Sequence, residues 1–179
     1  MATITCKIVM CGDFAVGKTT FVQSFLGGEV MEGYKPTIGV DIGRAVRNIE
    51  THKIIFQIWD LSGQQSFSTI RKQFYSRSNG GVMVYDVSRR ETYNNILQWT
   101  EEMLEQTGKI PIVLVANKID LRKQSDDPVT IEEGEILSET ISRQTGVNSP
   151  FVEASALNLI NNQEPFIVLG KLIISQLEV

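Results

Sequence analysis

Two rhythms of apolar residues alternate along this chain from end to end. Runs such as "GGVMVYDV" and "IPIVLVANK" are almost continuously apolar, the pattern of strands covered on both faces. Strands are predicted over Cys6–Cys11, Val40–Ile49, Ile54–Trp59, Gly81–Tyr85, Pro111–Ala116 and Pro150–Glu153. "VDIGRAVRNIE" instead mixes apolar and polar residues, and only "THK" separates it from "IIFQIWD". That pair reads as an antiparallel hairpin at a sheet edge.

The intervening segments carry helical spacing and recognisable ends. Ser88 and Glu91 fit a capping box ahead of a helix with Tyr93, Ile96, Leu97, Met103 and Leu104 as apolar positions. Thr130 and Glu133 form another, opening a helix with Ile136, Leu137 and Ile141 on one face. The last helix buries Phe166, Leu169, Ile173 and Leu177, with Pro165 tolerable near its first turn. Gly27 and Gly28 stop the first helix. Repeated strand–helix alternation predicts an α/β fold: a three-layer, mostly parallel sheet that binds ligands beyond the carboxyl ends of its strands.

Composition narrows the function. The 179 residues suit a single domain over 1–179, with 42% apolar and 21% charged residues and a net charge of −4. That charge argues against a nucleic-acid binder, yet allows an anionic ligand held by backbone N–H groups. No apolar run is long enough to span a bilayer, and the N-terminus has neither signal-peptide pattern nor a myristoylation glycine, Ala2 standing there. Cys6 and Cys11 share one strand, roughly 16 Å apart, so no disulfide joins them. Two buried thiols in a reducing, cytoplasmic compartment are expected. His52 falls in the hairpin turn and reads as a solvated side chain.

The chemistry starts at Gly12-x4-Gly17-Lys18-Thr19, a complete phosphate-loop pattern between an apolar strand and a helix. Its glycines let the backbone of Gly12, Asp13, Phe14, Ala15, Val16 and Gly17 curl around a pyrophosphate. Lys18 would reach the terminal phosphates, Thr19 would ligate Mg²⁺, and Thr20 completes the loop. "DLSG" follows at 60–63, placing Asp60 to hold Mg²⁺ through water and the Gly63 N–H to sense a γ-phosphate. "NKID" at 117–120 ends a strand, and Asp120 can accept two hydrogen bonds from guanine that adenine cannot offer. "EASAL" at 153–157 would bring the amides near Ser155 and Ala156 to the guanine oxygen.

With "YKPTIGVD" at 34–41 and "WDLSGQQ" at 59–65, these motifs resemble the Ras superfamily of small GTPases, closest to its Rab branch. The likeness covers about residues 5–175. It implies a P-loop GTPase fold with a six-stranded, mostly parallel sheet, one antiparallel edge strand and flanking helices. It further implies a Mg²⁺-dependent cycle between GTP and GDP, with Gln64 orienting the attacking water. Thr37 would bind Mg²⁺ and γ-phosphate only in the GTP state, and Lys18 would stabilise developing charge. Asn117, Lys118, Asp120, Ser155, Ala156 and Leu157 would hold the guanine. Residues 30–41 and 60–75 become switches that engage effectors. Implied partners are effectors, an exchange factor and a GTPase-activating protein, met by a monomer working in membrane traffic or related signalling.

Several positions depart from that family. Phe14 stands where a small residue is usual and would emerge beside the γ-phosphate, slowing hydrolysis. Val30 replaces an aromatic that stacks on guanine, which would speed GDP release. Leu157 replaces the lysine of S-A-K. Ile42, Trp59 and Phe74 match an effector-binding trio in which the first is normally phenylalanine. "LGKLIISQLEV" carries no cysteine or basic run, so no intrinsic membrane anchor is expected. Two other classes stay open: a non-hydrolysing scaffold that holds nucleotide, and an ATPase or nucleotide kinase.

Overall fold

The apolar runs assemble into the sheet they predict. The computed structural model describes residues 2–27 and 37–178. Its strands are β1 (Ala2–Cys11), β2 (Val40–Ile49), β3 (His52–Leu61), β4 (Gly80–Asp86), β5 (Ile112–Asn117) and β6 (Phe151–Glu153). They pair in the order β2-β3-β1-β4-β5-β6, antiparallel between β2 and β3 and parallel elsewhere. Helices α1 (Lys18–Leu26), α2 (Ser68–Tyr75), α3 (Arg90–Asn94), α4 (Ile96–Thr107), α5 (Ile131–Thr145) and α6 (Glu164–Leu177) cover the two faces. None of them is long and apolar enough to cross a membrane.

Strict alternation along the strands divides the core. Cys6, Ile8 and Met10 of β1 face one layer with Phe21, Phe25 and Phe166. Val9 and Cys11 face the other, with Tyr75, Trp99 and Met103. The two thiols therefore point to opposite sides of the sheet, both free and buried. Burial pushes Cys6 up to about 11 and Cys11 up to about 12, so both are inert at neutral pH.

Some local expectations fail for visible reasons. Ser88 is not a helix cap: its amide and hydroxyl donate to the buried Asp86 carboxylate, at 2.9 and 2.6 Å, leaving α3 to start at Arg90. The single helix predicted there is broken at Asn95 into α3 and α4. Ile136 is 62% exposed because the buried stripe of α5 runs through Gly134, Leu137, Ser138, Ile141 and Thr145. Leu177 keeps the helical spacing but closes the last turn of α6, 63% exposed. The hairpin turn is Glu50–Thr51, with Ile49 paired to His52. His52 thus opens β3, half-buried, its ring beside the Thr51 hydroxyl (3.2 Å) and the Glu178 carboxylate (4.0 Å).

Other signals hold. Gly27 closes α1 in the left-handed conformation, and Pro165 sits in the first turn of α6; Gly28 lies outside the described residues. The Thr130–Glu133 capping box forms in both directions, and Glu133 also pairs with Arg90 at 2.6 Å. The Arg90 hydrogen bonds, then the Thr130 N–H, hold the Glu133 carboxyl down at about 2. A carboxyl depressed in the folded state adds stability above its unfolded value, lost as pH falls towards the folded one. Glu133→Gln keeps the reciprocal cap but not the charge. Its thermal midpoint should fall less than the native one between pH 4.5 and 2, as acid-range melting curves would record.

Candidate functional site

The phosphate loop, residues 12–17, leaves the end of β1, the strand on whose two sides the chain builds in opposite directions. That is the switch point where α/β sheets open a crevice. Two glycines there are obligatory. Gly12 has φ +137°, and a Cβ on it would meet the Val84 carbonyl oxygen at 2.1 Å. Gly17 has φ +103°, and its Cβ would meet the Asn117 amide nitrogen at 2.2 Å. Beyond Gly17 the chain enters α1, so the loop feeds an anion site at a helix N-terminus.

Lys18 opens α1 with a buried side chain whose Nζ donates to the carbonyls of Gly12 (2.8 Å) and Asp13 (2.9 Å). Burial pushes its ammonium down to about 8, with the Asp60 carboxylate pulling the other way. Thr19, Thr37 and Asp60 come together. The Thr19 and Thr37 hydroxyls lie 2.8 Å apart, and both donate to Asp60 Oδ2, Thr37 from 3.3 Å. Burial raises the Asp60 pKa while the Thr19 hydrogen bond opposes the shift. Asp60 Oδ1 is buried, with no hydrogen-bond partner among the described residues. Hydroxyl and carboxylate oxygens with one donor site to spare are the hard ligand set that suits Mg²⁺.

Gly63 packs directly on the loop: a Cβ there would lie 2.5 Å from the Phe14 nitrogen. Half-buried Gln64 follows it. Phe14 lines the cleft and is 39% exposed. The Asp13 carboxylate does not face the cleft. It turns to the outer side of the loop, accepting from Asn95 Nδ2 and Trp99 Nε1, each at 2.7 Å. That leaves only the backbone of Asp13 to face an anion, as expected of a carboxylate that phosphate would repel.

At the other end of the cleft, Asn117 joins three loops. Its Nδ2 donates to the Val16 carbonyl (2.7 Å) and its Oδ1 accepts from the Ala156 amide (3.0 Å). Lys118 Nζ donates to the Ala15 carbonyl and pairs with Asp86, both at 2.7 Å. Asp120 Oδ1 is buried, with no hydrogen-bond partner among the described residues. The amides at Ser155 and Ala156, expected near a guanine oxygen, each have a partner within the chain. Ser155 N–H donates to the Ile160 carbonyl (3.1 Å), and Ala156 N–H goes to Asn117. Leu157 lines the cleft, 55% exposed.

The cleft between these ends holds ≈ 610 Å³, ample for a nucleotide. Its walls include Thr20, Gln23, Leu61, Ser62 and Leu121, of which sequence reasoning foresaw only Thr20. Val16 offers it only backbone, its side chain being fully buried in the core. Outside the cleft, Ile42 pairs across strands with Trp59, whose ring lies 5.8 Å from Phe74. The trio is contiguous, with Ile42 54% exposed, but Trp59 is half-buried under Lys7 rather than freely exposed. Val30 and the rest of 30–36 lie outside the described residues.

The model of the Ras family matches residues 7–175. Two curated relatives are each called "Ras and EF-hand domain-containing protein homolog", from Caenorhabditis briggsae and Caenorhabditis elegans. They are 33% and 32% identical over 168 residues, covering 93% of this chain. The chain spans 26% of the length of each.

Proposed function

This chain belongs to the Ras family, and from that premise we propose that it is a Rab-like molecular switch that binds GTP and GDP with Mg²⁺ and hydrolyses GTP. The observation that carries the reading is one cleft with two chemistries. A buried lysine and an oxygen-rich cluster stand at one end; a carboxylate with an unused oxygen, Asp120, stands at the other.

Lys18 and the loop amides bind the phosphates and stabilise charge that develops on them. Asn117, Lys118 and Asp120 fix the base, with Ala156 and Leu157 as a lid on its edge. Thr19 and Thr37, with Asp60 through water, would hold Mg²⁺, which would supply neutralisation of the phosphate charge. Gln64 orients the attacking water, and Thr37 and Gly63 couple the switch segments to the γ-phosphate. Fast turnover is assigned to a GTPase-activating partner, and nucleotide release to an exchange factor. Effectors dock on Ile42, Trp59 and Phe74 in the GTP state, a surface that supports a role in membrane traffic or a related signalling path. The same reading places the chain in the cytoplasm as a monomer.

Phe14 decides how fast this switch turns over. Single-turnover hydrolysis with Mg²⁺ should be on the order of 10⁻⁴ per second in the native chain. Phe14→Gly should accelerate it, by up to about a hundredfold if the ring displaces the water by an ångström. Tight GTP binding without turnover in either protein would replace the switch by a nucleotide-holding scaffold.

A further inference from the structure

The phosphate loop and the chain around Gly63 are both tied to α4, and the ties meet at one buried arginine. Arg71 of α2 is 3% exposed. Its Nε and Nη2 donate to the two carboxylate oxygens of Glu102 on α4, at 2.8 and 3.2 Å. Its Nη1 donates to the carbonyls of Ser62 (3.4 Å) and Gln64 (3.2 Å), which flank Gly63. Glu102 is held from a second side by the Tyr75 hydroxyl at 2.7 Å. The guanidinium lies 4.0 Å from the ring centroid of Trp99, and the indole N–H of that same Trp99 donates to Asp13 in the phosphate loop. A planar fork of fixed donors can serve a carboxylate, two carbonyls and an aromatic face together; a lysine ammonium cannot.

We propose that Arg71, seated on Trp99, is a positioning residue that holds the main chain of Gln64 at a set place against the phosphate loop and thereby sets the hydrolysis rate. The inference rests on the hydrolytic reading above. Arg71, Trp99 and Glu102 do not line the nucleotide cleft, so they act through Gln64 and not on the reacting atoms. Both arms of the device reach the site through backbone or through Asp13. It therefore governs where the catalytic side chain starts from, not how tightly phosphate is gripped. A displacement of about 1 Å in such a group can cost about a hundredfold in rate.

The test combines two variants. Arg71→Met/Glu102→Gln removes the ion pair together, so no buried charge is stranded, and glutamine still accepts from Tyr75. Trp99→Phe keeps a ring under Arg71 but deletes the N–H bond to Asp13. Each is made alone and with Gln64→Ala, and single-turnover GTP hydrolysis, GTP affinity and thermal midpoint are measured. The double variant should slow hydrolysis at least about tenfold with GTP affinity within about twofold. Trp99→Phe should move the rate in the same direction by less. In the Gln64→Ala background neither should slow it further, since residues acting as a unit are non-additive. An unchanged rate, an equal slowing in the Gln64→Ala background, or a parallel loss of affinity and midpoint overturns the proposal. A native chain without turnover overturns the hydrolytic reading and this inference with it; native turnover unmoved by the variants overturns the inference alone.

Discussion

Lys18→Met should weaken binding of both GDP and GTP by about 30-fold to several thousandfold, as removal of one partner from a desolvated charge contact does. The reason lies in the environment of the ammonium. Lys18 is buried to 6% exposure and answered by two carbonyl oxygens. Burial has already pushed its pKa down to about 8, a sign that the charge is poorly compensated by protein alone. Anionic phosphate oxygens would supply the missing compensation, so affinity is drawn from relieving that deficit. Methionine keeps the length of the side chain and adds no buried charge, but it takes the nearby cation from the buried Asp60 carboxylate, so the melt must show that the fold survives. Equilibrium titration with labelled GDP, beside a thermal melt of each protein, reads the effect. An affinity within threefold of native would mean that the loop amides alone bind phosphate.

The readable and unreadable parts of this molecule differ by the kind of constraint involved. The sheet was legible because parallel strands buried on both faces leave long apolar runs, and the edge hairpin because its mixed pattern breaks them. The phosphate loop was legible because Gly12 and Gly17 each face an atom that would collide with a Cβ, a restriction that only one residue type meets. Thr19, Thr37 and Asp60 could be joined in advance by the family pattern alone, since 18 and 41 residues of chain separate the partners.

Tertiary polar contacts left weaker traces. Ser88 and Glu91 have the spacing of a cap, but the nearby Asp86 carboxylate competes for Ser88 and wins. The tie from Asp13 to Asn95 and Trp99 crosses more than 80 residues. One clue was present: a carboxylate inside an anion-binding loop must turn away and find donors, and Asn95 and Trp99 stand one helical turn apart. Arg71 offered no such clue, because an arginine in a polar surface pattern looks like any solvated charge until its ring partner and carboxylate are seen.

Asp120→Asn should weaken guanine nucleotides by at least about a hundredfold, and it should do so through the base alone. Among the described residues Asp120 Oδ1 is buried without a hydrogen-bond partner, an arrangement that costs free energy unless a ligand donor answers it. Guanine offers its ring N–H and its amino group side by side, which matches a carboxylate. Adenine offers neither on that edge, so the native protein should bind GDP over ADP by about ten-thousandfold, the discrimination reached when a mismatched ligand leaves buried polar groups unpaired. Asparagine presents one acceptor and one donor. It therefore fits a base with a ring N–H beside a carbonyl, as in xanthine, and the variant should prefer XDP to GDP. Competition of unlabelled GDP, ADP and XDP against labelled nucleotide separates the cases. Equal competition by ADP and GDP in the native chain would remove the guanine assignment and restore an adenine nucleotide to this cleft. A variant that loses GDP without gaining XDP would place the selectivity in the fold of the Ile119–Gln124 turn, not in the carboxylate.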